Sequence, residues 1–96
     1  MAVASLAMSD TLRLRTDDLT WRTVEEEVVV LDQRDSTYIG INATGAALWP
    51  LLVEGASRAD LIGALVTRFG ISHDQAAPDV DAFIEALVAR NFLTSA

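Results

Sequence analysis

The sequence predicts an α+β domain: a three-stranded antiparallel sheet followed by a three-helix bundle, a winged-helix-like arrangement. Three observations predict it. Up to Asn42 the apolar residues alternate or form short β-branched runs, as strands do. After Asn42 the apolar spacing changes to i, i+3, i+4, the period of a helix with one buried stripe. Two Ser-x-x-Asp/Gln patterns, at Ser57 and Ser72, then divide the second half of the chain into separate helices. At 96 residues the chain makes one domain, assigned to residues 11–96, with residues 1–10 read as a frayed tail.

Thr11 to Arg15 reads as the first strand, with Leu12 and Leu14 on one face. Trp21 and Val24 follow in a segment read as a loop or irregular continuation. Glu27 to Asp32 is the second strand, because Val28, Val29 and Val30 are β-branched and suit a pleated surface. Gln33 to Ser36 is a polar turn. Thr37 to Ile41 is the return strand, with Ile39 and Ile41 on one face and Tyr38 and Gly40 on the other.

Asn42 or Thr44 caps the first helix, whose stripe is Leu48, Leu51 and Leu52. Pro50 lies inside it and implies a kink or a tight first turn; Gly55 ends it. The second helix starts at Ser57, carries Leu61, Ile62, Leu65, Val66 and Phe69, and ends at Gly70. Ser72 opens the third, which buries Val80, Phe83, Ile84, Leu87 and Val88. Pro78 is expected to set the first turn of its main segment, after a short separate turn.

Composition excludes several functions. Seven basic against fourteen acidic residues give a net charge of −7. This opposes binding to nucleic acid, which needs cations to displace phosphate counterions, and docking on an anionic membrane. The span from Asp74 to Ala89 holds Asp74, Asp79, Asp81 and Glu85 and no Lys or Arg, so the third helix cannot serve as a DNA-reading helix. With no cysteine and one histidine, neither a thiolate nucleophile nor a zinc or iron–sulfur site is expected, nor any cofactor. The absence of cysteine is compatible with the cytoplasm, the expected location. The opening residues Met1 to Asp10 lack a basic segment and are too short to span a bilayer.

Candidate chemistry is sparse. His73, beside Asp74, reads as a solvated residue at a helix start, not a general base. Asp79, Asp81 and Glu85 read as a solvated acidic face. Asp35-Ser36 resembles the Asp-Ser of acyl carrier proteins, but the β-prone Thr37-Tyr38-Ile39 follows where a helix would be required.

The return strand raises a different possibility. It has one neighbour in a three-stranded meander and no charge or proline in Thr37-Tyr38-Ile39-Gly40-Ile41 to protect its outer edge. Either a helix or Phe92-Leu93 covers that edge, or an extended peptide pairs with it. On the third helix, Asp79, Phe83, Ala86 and Arg90 recur at spacings of four, three and four. They form either a solvated shoulder of ordinary packing or one wall of a groove, with Phe83 apolar, Ala86 leaving room for a guest side chain, and Asp79 and Arg90 as polar anchors.

Leu31-Asp32, Tyr38, Ile41-Asn42, Gly45 and Leu48-Trp49, followed by Asp79-Val80, Ala82-Phe83-Ile84, Leu87-Val88 and Asn91-Phe92-Leu93, resemble the PqqD-like family of peptide chaperones in order and spacing. The resemblance runs from about Leu12 to Leu93. It implies a recognition element for ribosomally made, post-translationally modified peptides: a three-stranded sheet beside three helices, without catalytic activity. The precursor's leader adds to the third strand and lies against the third helix. The chain is most similar to the free-standing lasso-peptide version. Its implied partners are the precursor leader peptide, a leader peptidase of the cysteine-protease type and an ATP-dependent cyclase, and an aromatic residue and a proline of the leader fill apolar pockets. Carried onto this chain, the resemblance implies backbone pairing along Thr37, Tyr38, Ile39, Gly40 and Ile41. Side chains would come from Val28, Val30, Tyr38, Phe83, Ala86 and Arg90. Which alternate set on the second strand faces the groove is open, because a slip of one residue exchanges the faces. Pro50, Pro78 and Asn91 depart from the family pattern; Asn91 replaces a common Gly but tolerates the same left-handed backbone. The second reading is a small winged-helix-like regulator that binds protein and not DNA.

Overall fold

A computed structural model describes residues 11–95; the tail assigned to residues 1–10 lies outside them. The order is β1 (Leu12–Leu14), β2 (Leu19–Val24), β3 (Glu27–Asp32), β4 (Thr37–Ile41), α1 (Ala43–Glu54), α2 (Arg58–Phe69), α3 (His73–Ala89) and β5 (Leu93–Ser95). A three-stranded antiparallel sheet, β2-β3-β4, precedes the three helices, as the apolar periods predict.

The first strand of that sheet differs from the expectation. Residues Leu19–Val24, read from sequence as irregular, pair with β3 from Leu19↔Asp32 to Val24↔Glu27. The turn is only Glu25-Glu26, with Glu25 at φ 58°. A two-residue hairpin turn with a left-handed residue is normally marked by Gly or Asn, so glutamates there hide it. Leu12–Leu14 is a strand, with Leu12 and Leu14 buried and Arg13 exposed, but it pairs with β5 in a separate ribbon. Leu12 also exchanges main-chain hydrogen bonds with Ala56, at 2.8 and 2.9 Å. Alternation reveals that one face of a strand is buried; it does not name the partner.

The helix limits follow capping chemistry. Asn42 Oδ1 accepts from the Gly45 N–H at 3.0 Å to start α1. Ser57 with Asp60, and Ser72 with Gln75, form reciprocal capping boxes at the starts of α2 and α3, each satisfying N–H groups that a helix start leaves unpaired. Gly55 and Gly70 end α1 and α2. Pro50 and Pro78 both stand inside continuous helices, and the separate turn expected before Pro78 is instead part of α3. Pro78 is exposed. The carbonyl it leaves unpaired is that of Asp74, also exposed and in the first turn, where water can serve it.

Beyond α3 the chain turns sharply. Asn91 takes φ 61°. Its N–H donates to Val88 O and the Phe92 N–H to Leu87 O, both at 2.9 Å. These are the paired bonds of a Schellman turn, and Phe92 and Leu87, both buried, supply its apolar contact. Phe92 thereby enters the core, and Arg15 receives the chain: its N–H donates to Phe92 O at 2.7 Å and its Nε to Asn91 O at 3.0 Å. The core beneath the sheet holds Val28, Val30, Leu48, Trp49, Leu52, Leu61, Leu65, Val80, Leu87 and Phe92. Trp21 meets Trp49 edge to face, with ring centroids 5.6 Å apart.

One polar cluster joins the sheet to α3. Asp32 is buried. Its Oδ1 accepts from Arg34 Nε and N–H at 3.0 and 3.1 Å, and its Oδ2 from Arg34 Nη2 at 2.8 Å. Arg34 Nη2 also donates to the Arg90 carbonyl at 3.0 Å. The bonds from Arg34, above all those of its side chain, hold the Asp32 carboxyl at about 2, below its ordinary 3.8. A carboxyl pKa lowered in the folded state stabilises the fold above the unfolded-state value, and that stabilisation is lost as pH falls through the folded value. Urea denaturation of wild type and Asp32→Asn should therefore show the largest stability difference above about pH 4, the range in which an unfolded Asp is ionised. The difference should shrink as pH is lowered towards 2. A pH-independent difference would show that the ion pair contributes nothing.

Candidate functional site

β4 is an edge strand: β3 lies on one side, and no described strand lies on the other. The Phe92-Leu93 segment considered from sequence does not pair with it, and α3, the helix that faces it, stands across an open groove. Leu93 belongs to β5 and pairs with Leu14 on β1, and Phe92 is fully buried. The outward N–H and C=O groups of Thr37–Ile41 therefore remain available for pairing.

Beside that edge runs an open groove of about 250 Å³, lined by Ile39, Gly40, Ile41 and Asn42 on the sheet side, and by Phe83, Ala86, Leu87, Arg90 and Phe92 on the other. A second depression of about 330 Å³ continues it past Asn42 and Phe83 to Thr44, Gly45, Ala82 and Asp79. Enclosed sites for small ligands occupy roughly 300–1,000 Å³. Two shallow depressions in series fit successive side chains of an extended segment better than one enclosed molecule.

The stripe read from α3 comes together here. Phe83 separates the two depressions, Ala86 and Arg90 border the first, and Asp79 borders the second. Ile39, Gly40 and Ile41 form the opposite wall, and Thr37 starts the same strand.

Three expected side chains are not in the groove. Val28 and Val30 are 3% and 0% exposed. They face the helices, as Ile39 and Ile41 do, but from the middle strand, so their neighbours cover them. Tyr38 is 73% exposed and stands on the opposite face of the sheet, with Thr20, Arg22, Val29 and Leu31. Its main chain belongs to the edge; the strand's period of two sends its ring away from α3.

Six lining residues were not in the expected set: Asn42, Thr44, Gly45, Ala82, Leu87 and Phe92. Gly45 has a definite steric role. A Cβ there would lie 2.6 Å from Ile41 Cγ2 and 2.7 Å from Phe83 Cε1. Hydrogen at this position lets the Phe83 ring pack against the first turn of α1. Gly45 was visible in sequence only as part of the family resemblance, because a single glycine in the first turn of a helix has no periodic signature.

Among the described residues the titratable groups offer binding geometry. His73 is the exposed first residue of α3. Asp81, expected on a solvated face, instead bonds Arg58 of α2 at 2.7 and 2.9 Å. Those bonds hold its carboxyl below the usual range. Among the described residues no group of three or more His, Cys, Asp or Glu could hold a metal ion, and no helix is long and apolar enough to cross a membrane.

Comparison with known proteins agrees with this geometry. Two solved structures share the fold. One, TbiB1 in complex with the TbiA(beta) leader peptide, has a TM-score of 0.75 and 26% identity, covering 84% of this chain and 93% of that one. The other, a lasso peptide synthetase B1 complexed with the leader peptide, has a TM-score of 0.74 and 25% identity, covering 86% and 96%. No curated protein sequence matches the chain significantly. The family profile of the coenzyme PQQ synthesis protein D matches residues 27–93, which contain the third and fourth strands, all three helices and both walls of the groove. The chain belongs to the PqqD family.

Proposed function

We propose that this protein binds the leader segment of a ribosomally made precursor peptide as an added strand on β4, with leader side chains seated against α3. It then presents the precursor to maturation enzymes of the lasso-peptide type: a leader peptidase of the cysteine-protease class and an ATP-dependent cyclase. The observation that carries the reading is the free β4 edge beside a groove walled by Phe83 and Ala86. It is supported by family membership and by the leader peptides bound to the two similar B1 proteins. Main-chain pairing supplies affinity that tolerates many sequences, and the depressions select side chains. In this reading the protein acts as an adaptor in the cytoplasm and not as an enzyme, and the groove offers the guest one carboxylate, Asp79, and one guanidinium, Arg90.

Three variants test the site, each measured by fluorescence polarisation with a labelled lasso-type leader peptide after a circular dichroism check of folding. Gly40→Pro deletes a main-chain donor from the edge strand, and the space around Gly40 is open, with no atom within 4 Å of an added Cβ. It should abolish measurable binding. Unchanged affinity in the folded variant would reject strand addition to β4. Ala86→Trp should fill the first depression and weaken binding by about thirtyfold or more, the loss of one anchor worth about 2 kcal/mol. Full affinity would exclude that depression from the site. Gly45→Ala should cost about 1–2 kcal/mol of stability, because overpacking outweighs the helix propensity gained. It should also weaken binding by pushing Phe83 into the groove; an unshifted melting temperature and affinity would show that the ring moves aside freely.

A further inference from the structure

We infer that the groove reads the direction of its guest by charge: it favours a leader in which a basic residue precedes an acidic one by about five positions, running antiparallel to β4. This rests on the leader-binding reading above and specifies its substrate class.

The charges of the two depressions carry the argument. Among the described residues, Asp79 is the only charged one lining one depression, and Arg90 the only charged one lining the other. Among the described residues neither takes part in an ion pair, whereas Asp32, Asp81, Arg34 and Arg58 are matched within the fold. Arg34, which donates to the Arg90 carbonyl, is already held by Asp32. Asn42 and Thr44, which border the Asp79 end, are neutral. The groove thus presents one uncompensated negative charge and one uncompensated positive charge at opposite ends.

The relative directions of the walls convert this into an order along the guest. α3 runs from the Asp79 end to the Arg90 end. β4 runs the other way, because Ile39 borders the Arg90 depression, whereas Asn42, just past the strand, is shared with the Asp79 depression. The host sheet is wholly antiparallel, and antiparallel pairing is the slightly more stable kind per residue. A guest antiparallel to β4 therefore runs alongside α3 in the same direction, its N-terminal part at Asp79 and its C-terminal part at Arg90. Eleven helical residues rise about 16 Å, which an extended guest covers in about five residues. A cation and an anion at that separation meet both anchors together. The opposite order places like charges together at both ends, which costs affinity and suppresses wrong partners.

The test uses a displayed library of random 12-residue peptides, selected on the wild-type protein and on the charge-exchanged Asp79→Lys/Arg90→Glu protein. Wild type should enrich Lys or Arg followed four to six positions later by Asp or Glu, and the exchanged protein the reverse order. A synthetic pair of selected peptides differing only by exchange of the two charges should differ about tenfold in Kd at low salt, and much less at 0.5 M salt. Peptides that lose binding to Ala86→Trp, and so occupy the groove, yet show no charge order or the opposite one, would overturn the inference and leave leader binding standing. If no peptide is enriched, or the enriched ones ignore both Ala86→Trp and Gly40→Pro, the groove reading fails and the inference with it.

Discussion

The route of the chain after α3 governs the rest of the molecule. A helix ending at Arg90 could send its continuation along the nearest free strand, which is β4. The left-handed residue at Asn91 turns it elsewhere: Phe92 drops into the core and Leu93–Ser95 pairs with β1. Strand pairing is driven by main-chain groups that every residue carries. What decides which edge is satisfied is therefore the direction in which the chain leaves the helix. Here that direction satisfies β1 and leaves β4 open. The groove exists because the C-terminal strand was delivered to the other ribbon.

An open edge normally invites self-association, and the two edges of the sheet are treated differently. β2 carries Arg22 and leads into the acidic Glu25-Glu26 turn, charges of the kind that discourage edge-to-edge pairing. β4 carries no charge along Thr37–Ile41. An edge that lacks this protection on one side of a sheet and keeps it on the other is what a protein needs if one kind of extended partner is to be admitted. The net charge of −7 adds mutual repulsion between copies.

The two walls of the first depression are held by contacts at its ends and not in its middle. At one end, Arg34 joins the buried Asp32 to the Arg90 carbonyl, tying the β3–β4 turn to the last turn of α3. At the other, Gly45 allows the Phe83 ring and Ile41 to close on the start of α1. Between them lie small or apolar residues, Gly40, Ala86 and Leu87. A domain of this size has only modest stability to distribute. Placing the rigid contacts at the ends keeps the trough preformed without filling it.

Much of this was legible in the chain itself. The helices follow from period and capping chemistry, because Ser57, Ser72, Gly55 and Gly70 act on backbone groups within a few residues of themselves. The β3–β4 pair follows from a β-branched run, a polar turn and a short apolar return, and the α3 stripe of Asp79, Phe83, Ala86 and Arg90 from helical spacing alone. The sequence by itself thus determined the helices, the β3–β4 hairpin and the two stripes that wall the groove. Tertiary structure decided the partners. Leu12–Leu14 alternates as any half-buried strand does, and nothing local distinguishes pairing with β3 from pairing with β5. Leu19–Val24 reads as irregular because its turn is made of glutamates. Tyr38, Val28 and Val30 belong to the right hairpin, but their side chains point where pleat and neighbouring strands direct them. Local chemistry acts over a few residues; strand pairing and the space around a glycine are settled by segments far apart in sequence, and only the folded chain brings those together.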